Sequence, residues 1–280
     1  MKIQHYNEAI KIMRKFFQEE KGFTEVPAQS RQSILAACED PATITKYEFN
    51  GVEYPLPQTG QMWLEIELLK NPDLKGVFCI TTSYRNEPNM VEGRHEKIFP
   101  MFEFESHGSI EDMIKLEKEL LAYMGFRGSM QEVTYENSCK LYGVDLLDYD
   151  EEERLCDDFS PCVFLKDFPL RTEPFWNMRH IGNGIYSKVD VIMHGMETIG
   201  SAERAVDIKE MKDQFYNISD GEYAKILFNN FGETRVVEEL NEYLSLDMFQ
   251  RFGGGIGVTR MVNAMIKEGV MPIGEMELVK

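Results

Sequence analysis

The sequence predicts an α+β fold, and three features of its pattern carry this prediction. Apolar residues recur at helical spacing in residues 6–17 and 109–124, which is typical of amphipathic helices. Residues 77–84 are rich in β-branched and aromatic residues, and 99–105 alternate apolar with acidic ones, so the polar loop between them predicts an antiparallel hairpin. A glycine-rich strand at 252–257 then leads into an apolar helix.

The other elements follow in order along the chain. Gly22 ends the first helix, and Ser109 and Asp112 have the spacing of a capping box at the start of the later one. Proline-containing breakers within residues 30–60 predict a loop there. The remaining predictions are a strand at 23–26, a helix at 61–69, a solvated acidic loop or helix face at 148–158, one strand at 185–199 and helices at 203–248.

Composition restricts the class of protein and its partners. The 280 residues are 43% hydrophobic and 28% charged, which is typical of a folded chain with a sizeable core. The net charge of −18 opposes nucleic-acid binding unless basic residues are segregated on one surface. No apolar run approaches the roughly 18 residues of a membrane span. The five cysteines are scattered, without a C-x-x-C pair, so we expect reduced thiols and a cytoplasmic location.

Two groups of residues are candidates for phosphate binding. Arg85 and Arg94 flank the polar loop of the hairpin, with Phe99 at its base, and the planar guanidinium group suits phosphate oxygens. The glycines of residues 253–257 allow close approach of the backbone, and Arg260 follows in the first turn of the next helix. This segment is not a Walker loop, because no Gly-Lys-Ser/Thr follows it.

A third group, Asp190 and Glu197, could hold Mg²⁺ beside a triphosphate, since this ion takes one or two carboxylates plus phosphate oxygens. An irregularity in the strand would be needed to bring both carboxylates to one side. Taken singly, arginines and carboxylates of this kind are more often solvated than ligand-binding, and the glycine segment is as often a tight strand-to-helix crossing as a ligand site. Their order along the chain adds the weight that the individual groups lack.

In combination the motifs resemble the catalytic core of class II aminoacyl-tRNA synthetases, in the aspartyl, asparaginyl and lysyl subgroup. Tyr84-Arg85-Asn86-Glu87 with the return Arg94-His95-Glu96-Lys97-Ile98-Phe99 is similar to the second motif of that family. The segment Gly253-Gly254-Gly255-Ile256-Gly257-Val258-Thr259-Arg260 is similar to the third. Residues 57–65, 168–169, 174–179 and 197–204 look like other segments of the asparaginyl and aspartyl enzymes, so the resemblance covers essentially the whole chain.

The resemblance implies a fold and an activity. It implies one catalytic domain over residues 1–280, built around a six-stranded, mostly antiparallel sheet flanked by helices, with an acidic insertion near 128–165. It implies a homodimer that forms through residues near 5–27. The implied activity is ATP-dependent, Mg²⁺-assisted activation of an amino acid, asparagine or aspartate, to an aminoacyl-adenylate with release of pyrophosphate.

The family's roles carry over residue by residue. The implied catalytic residues are Arg85, Glu87 and Arg260. The implied ATP-binding residues are Arg85, Glu87, Arg94, His95, Phe99, Glu197, Gly257 and Arg260. The implied amino-acid-binding residues are Glu39, Thr59, Gln61, Glu65 and Arg204, although Glu65 could instead form a structural ion pair. The implied Mg²⁺ ligands are Asp190 and Glu197.

Several positions depart from the family pattern. Ile98 and Thr259 replace acidic residues of the motifs. The proline of the first motif is expected at position 29, which is Gln29 here, and it falls at Pro27 instead. Leu64 replaces a lysine of the aspartyl enzymes, which favours an amide over a carboxylate substrate.

The core begins almost at residue 1, so we expect no N-terminal anticodon-binding barrel and doubtful tRNA binding. Three functions compete: aminoacylation of tRNA by a stand-alone core, an AMP-forming asparagine synthetase that uses ammonia, and a non-catalytic ligand-binding paralogue. The intact set of Arg85, Glu87 and Arg260 disfavours the third.

Overall fold

A computed structural model describes residues 1–27, 32–35, 40–88 and 90–271. The strands in these ranges are β1 (Thr24–Glu25), β2 (Lys46–Phe49), β3 (Val52–Pro55), β4 (Gly76–Tyr84), β5 (Ile98–His107), β6 (Met130–Thr134), β7 (Cys162–Pro169), β8 (Ile185–Met193), β9 (Met196–Glu203) and β10 (Arg251–Gly257). The α-helices are α1 (Ile3–Lys15), α2 (Gln61–Lys70), α3 (Ile110–Tyr123), α4 (Tyr135–Tyr142), α5 (Tyr149–Asp158), α6 (Ile208–Asn217), α7 (Glu222–Phe231), α8 (Glu233–Leu244) and α9 (Val258–Lys267).

The main sheet has eight strands in the order β1-β4-β5-β10-β9-β8-β7-β6. The α+β prediction is confirmed, but the predicted count of six strands is wrong. The strands from β4 to β7 in this order do pair antiparallel throughout. Two short strands extend this set, because β1 pairs in parallel with β4 and β6 pairs in parallel with β7. They supply main-chain partners to strands that would otherwise be open edges.

Two local predictions are wrong for the same reason, an unrecognised turn. Residues 30–60 include the hairpin β2–β3, which turns at Asn50-Gly51 with both φ angles positive, at 53° and 76°. Residues 185–199 are two strands, because the chain turns at His194-Gly195 with φ angles of 49° and 79°. Positive φ at both central positions matches the right-handed twist of a tight hairpin. The helices at 61–70 and 110–123, the hairpin β4–β5 and the capping box at α3 are confirmed.

Alternation along β5 and β10 separates the two faces of the sheet. Phe102, Phe104 and Ile256 face a core that also contains apolar residues of α1, α3 and α9, and the Phe78 and Phe102 rings stack at 5.1 Å. Glu103 and Glu105 face the other way, towards the side covered by α2 and α8. The helices α4 and α5 pack through a separate cluster on β7 and β8. None of the described helices has the length and apolar character needed to cross a membrane.

The acidic run at 148–158 is the helix α5, which confirms the prediction of a helix face. Asp148 caps its first turn and Glu151 completes the capping box. Leu155 and Cys156 are buried against the sheet, while Asp157 and most of the other acidic residues are exposed. This arrangement anchors a strongly negative helix beside the central strands.

One buried acid makes stability depend on pH. Glu117 of α3 is 1% exposed, and burial raises its pKa to about 8, an effect that the neighbouring Ser201 hydroxyl only partly offsets. The folded state therefore keeps a proton that the unfolded state loses near pH 4.5. The contribution of Glu117 to the free energy of unfolding therefore falls as pH rises from about 4.5 to about 8, by at most ~1.4 kcal/mol per pH unit.

We expect Glu117→Gln to remove this dependence. The variant and the wild type should have similar free energies of unfolding at pH 5, and the variant should become progressively more stable than the wild type up to pH 8. Urea unfolding at pH 5, 6, 7 and 8 measures the difference. The exposed control Glu20→Gln should show no such divergence. Parallel curves for wild type and Glu117→Gln would contradict the assignment.

Candidate active site

A cavity of about 770 Å³ opens on the face of the sheet opposite the main core. It lies between the β4–β5 loop, the first turn of α9, the β8–β9 hairpin and α5. All the residues that the sequence assigns to ATP line it: Arg85, Glu87, Arg94, His95, Phe99, Glu197, Gly257 and Arg260. The structure therefore brings together motifs that are up to 175 positions apart in the chain, from Arg85 to Arg260 (260 − 85).

Glycines in β10 create the room for this cavity and for the carboxylates beneath it. A Cβ on Gly253 would lie 1.6 Å from Oε2 of Glu105, and one on Gly255 would lie 2.7 Å from Cε of Met101. Neither strand position can therefore carry a side chain without displacing its neighbours on β5. The glycine run of the sequence is explained by close approach within the sheet as much as by approach of a ligand.

Two arginines reach the cavity from opposite sides. The Arg85 guanidinium lies over the Phe99 ring at 5.6 Å, and its backbone N–H donates to Lys97 across the base of the loop at 2.8 Å. Arg260 donates to the backbone oxygen of Glu197 at 2.7 Å and to that of Arg94 at 3.3 Å. Arg260 thus links the loop to the β8–β9 hairpin, and both guanidinium groups can face an anion in the cavity.

Two residues of α5 that line the cavity, Tyr149 and Glu152, were not predicted from the sequence as site residues. Glu152 forms an ion pair with Arg94, whose guanidinium lies 4.4 Å from the centre of the Tyr149 ring. The Tyr149 hydroxyl lies 2.9 Å from Nε2 of His95. Burial, followed by repulsion from Glu197, raises the pKa of Glu152 to about 7 against the attraction of Arg94. The acidic run was visible in the sequence, but its position over the loop was not.

Asp190 and Glu197 lie on one side of the sheet, over Gly200. A Cβ on Gly200 would lie 3.0 Å from Oε1 of Glu197 and 3.6 Å from Oδ1 of Asp190. The register shift between β8 and β9 at Val191 supplies the predicted irregularity. Lys188 bonds the second oxygen of Asp190 at 2.7 Å. Two carboxylates converging on Gly200, which lines the cavity, fit Mg²⁺, since this ion takes its other oxygens from phosphates and water. The part of the chain that the structure describes has no cluster of three or more protein ligands for a metal.

The predicted amino-acid residues lie at the other end of the glycine strand. Gln61 donates to the Gly254 oxygen at 2.8 Å and accepts from Arg204, while Thr59 donates to Glu103. Arg204 is 5% exposed and Glu65 is fully buried, so neither side chain is open to solvent. Glu39 lies outside the described residues.

Glu65 belongs to a buried network of four charges, together with Glu105, Arg204 and Arg251. Arg251 bonds Glu65 at 2.6 Å, and Arg204 bonds both oxygens of Glu105 at 3.3 and 3.2 Å. Burial alone would raise the pKa of Glu65, but Arg204 and Arg251 hold it below its usual value. Burial and the charge of Glu65 raise the pKa of Glu105. The alternative reading of Glu65 as a structural ion pair therefore agrees with the geometry.

Further hydrogen bonds complete this network. Tyr243 donates to Glu65 at 2.7 Å, and Asn177 donates to it at 2.7 Å. Arg251 also donates to the backbone oxygens of Ala205 and Phe249. Sequence reasoning missed Arg251, the first residue of the glycine-rich strand β10, although an arginine in a core strand is almost never fully buried without a partner.

The chain resembles known synthetases in sequence pattern and in fold. Residues 1–271 match the family described as tRNA synthetases class II (D, K and N). The fold is similar to asparaginyl-tRNA synthetase from Pyrococcus horikoshii complexed with asparaginyl-adenylate, with a TM-score of 0.76 and 20% identity over 95% of this chain and 65% of that one. It is also similar to asparaginyl-tRNA synthetase from Entamoeba histolytica in complex with asparaginyl-adenylate, with a TM-score of 0.71 and 20% identity over 95% of this chain and 63% of that one.

A third similar structure is the aspartyl tRNA synthetase from Entamoeba histolytica, with a TM-score of 0.69 and 15% identity over 99% of this chain and 59% of that one. The chain thus spans less than two thirds of the length of each of these structures. No curated protein matches it by sequence. At these identities the structural likeness establishes the fold.

The four-charge network yields a prediction about stability. Arg251→Met leaves Glu65 with less compensation in a fully buried position, and we expect a loss of about 3–5 kcal/mol in the free energy of unfolding. Arg14→Met breaks a partly exposed ion pair with Glu25 and should cost less than about 1 kcal/mol. Urea unfolding of both variants at pH 7 measures the difference. Equal losses would show that the network contributes no more than a surface pair.

Proposed function

The chain belongs to the class II tRNA synthetases of the D, K and N group, and on that basis we propose that it activates an amino acid with ATP. The products are an aminoacyl-adenylate and pyrophosphate. One observation carries this proposal: every residue that the motifs assign to ATP lines a single cavity of about 770 Å³. Such a volume falls within the range of small-molecule sites.

The proposed chemistry needs positioning and charge neutralisation rather than a nucleophilic side chain. A carboxylate must approach the α-phosphorus of ATP, and both groups are anions. Arg85 is assigned to the α-phosphate and the substrate carboxylate, and Arg260 to the γ-phosphate. Phe99 and Arg260 enclose the adenine ring, and Glu87 contacts its edge. These assignments place positive charge on both sides of the reacting centre.

Asp190 and Glu197 are the proposed Mg²⁺ ligands. Their convergence over Gly200 supports this role, because Gly200 and Glu197 line the cavity together with Arg260. An ion held there would neutralise the charge of phosphate oxygens. Lys188 holds one oxygen of Asp190 in place at 2.7 Å.

The proposed amino-acid substrate is asparagine, with aspartate as the alternative. Leu64, which replaces a family lysine, is fully buried in a cluster with Leu68 and Val77, so it offers nothing to a substrate. Arg204 is already paired with the carboxylates of Glu65 and Glu105. A substrate carboxylate would therefore add an uncompensated anion, whereas an amide adds none.

Loss of Arg85 tests the proposed chemistry. Arg85→Ala should lower the rate of ATP–pyrophosphate exchange with asparagine by about 10²–10³, the effect of removing one preorganised charge donor from a transition state. The exposed Arg127→Ala, which removes the same charge away from the cavity, should keep the wild-type rate. Exchange that survives in Arg85→Ala would overturn this role.

A second candidate function is an asparagine synthetase that transfers the aspartyl group to ammonia. The position of α5 favours it, because the exposed carboxylates of this helix stand beside the cavity and repel RNA. This function requires aspartate as the activated amino acid, so the amino-acid dependence of exchange separates the two candidates. Exchange with none of the twenty amino acids would favour a non-catalytic paralogue.

We also propose that residues 1–280 act as one catalytic domain with an acidic insertion near 128–165, in a cytoplasmic homodimer that forms through residues 5–27. Ile3, which directly precedes this segment in α1, is 71% exposed, and an apolar residue there suits a contact at the margin of such an interface. The described cysteines are all free thiols, as a reducing compartment requires.

The acidic surface leads to a prediction about tRNA. Binding would neutralise few phosphates, so affinity should be weak and should depend little on salt. Each phosphate contact adds about 0.7–0.9 to the slope of log affinity against log salt concentration. We expect deacylated tRNA neither to bind at physiological salt nor to speed consumption of the adenylate. Filter binding and single-turnover assays measure both effects. Sub-micromolar affinity or an aminoacylated tRNA product would refute the prediction.

A further inference from the structure

The helix α5 occupies the residues that a triphosphate would need. Arg94 donates to the Gly195 oxygen at 3.0 Å, pairs with Glu152, and lies with its guanidinium 4.4 Å from the centre of the Tyr149 ring. Its Nε is buried. Both terminal nitrogens of Arg94 therefore already donate to protein oxygens, one of them to a carboxylate of α5.

His95 is held in the same way. Its Nδ1 lies 3.0 Å from the Glu87 carboxylate, and its Nε2 lies 2.9 Å from the Tyr149 hydroxyl. The two ring nitrogens are thus both engaged by protein groups, one of which comes from α5. The resemblance to the synthetase family assigns Arg94 and His95 to the β- and γ-phosphates of ATP.

We propose that α5 is an intramolecular competitor for the terminal-phosphate end of the cavity, with the Glu152 carboxylate standing where a phosphate would meet Arg94. A nucleoside triphosphate must displace Glu152 and Tyr149 in order to bind Arg94 and His95. A nucleoside monophosphate has no group for that end and binds with α5 in place. The inference rests on the proposed function. It adds that the state with α5 bound to Arg94 and His95 prefers the monophosphate unit to the triphosphate.

The competition has a chemical consequence for the proposed reaction. The aminoacyl-adenylate contains the monophosphate unit alone, so α5 can close over it once pyrophosphate has left. Arg94 then leaves a phosphate oxygen and binds the Glu152 carboxylate, so it keeps the same number of contacts with anionic groups. Closure would retain the adenylate and exclude pyrophosphate, which the reverse reaction needs.

The test compares ATP with AMP by calorimetric titration of the full chain. Glu152→Ala should lower the Kd for ATP roughly three- to tenfold, the range set by a partly buried ion pair, and leave the Kd for AMP unchanged. Glu152→Gln keeps the size of the side chain and should shift ATP affinity in the same direction. Tyr149→Phe keeps the ring on Arg94 and should give a smaller gain. Asp157→Ala removes the same charge from the exposed side of α5 and should change neither affinity.

Each other outcome counts against the competition. Weaker ATP binding in both Glu152 variants would make Glu152 a positioning residue for Arg94. An equal gain for AMP, or the same gain in Asp157→Ala, would reduce the effect to general electrostatics. A wild-type chain that binds ATP and catalyses exchange, with affinities unchanged in the variants, would overturn this inference alone. Failure of every form to bind either nucleotide would overturn the proposed function as well.

Discussion

The buried ion pair between Arg251 and Glu65 is the constraint on which the central sheet and its helices depend. It joins the first residue of β10 to the middle of α2, and the Tyr243 hydroxyl from α8 closes the contact. Arg204 and Glu105 extend the network to β9 and β5. Every member must find its partners inside the protein, because a buried charge left alone is far costlier than a lost surface pair. The network therefore fixes the register of three neighbouring strands and the position of two helices on them.

This register determines what the cavity can be. Glu105 leaves no room for a side chain at Gly253, and Met101 crowds the position of Gly255, so β10 carries glycines opposite this face of β5. The flat strand that results forms a floor for the cavity at one end and a hydrogen-bonding surface for Gln61 at the other. The same glycines thus allow the packing of a charged interior and keep the floor of the cavity open. Both requirements select glycine in the same strand, which explains why glycines are so frequent in residues 253–257.

The sequence predicts those parts of the molecule that depend on neighbours in the chain. Helical spacing identifies α1, α2 and α3, and the motif of 253–260 predicts both β10 and the position of Arg260. It does not predict contacts that depend on how separate elements pack. The pairing of Arg94 with Glu152 spans 58 positions and exists only because α5 docks on β7 and β8. Of the two edge strands, β1 lies within the strand predicted at 23–26, whereas β6 was not predicted, since its pairing with β7 rather than its composition defines it.

The cluster under α4 and α5 has a dynamic consequence. Its buried members, among them Leu155, Leu165 and Ile192, form a hydrophobic cluster separate from the one that holds α1, α3 and α9 against the sheet. Units with their own small core open at a lower free energy than the whole protein, and amide hydrogen exchange reports them as a cooperative group. The covering helices can therefore detach and return as one unit while the central strands stay paired. Exchange in α5 and in β10 should then belong to two kinetic classes, which separates the timescale of access to the cavity from the timescale of unfolding.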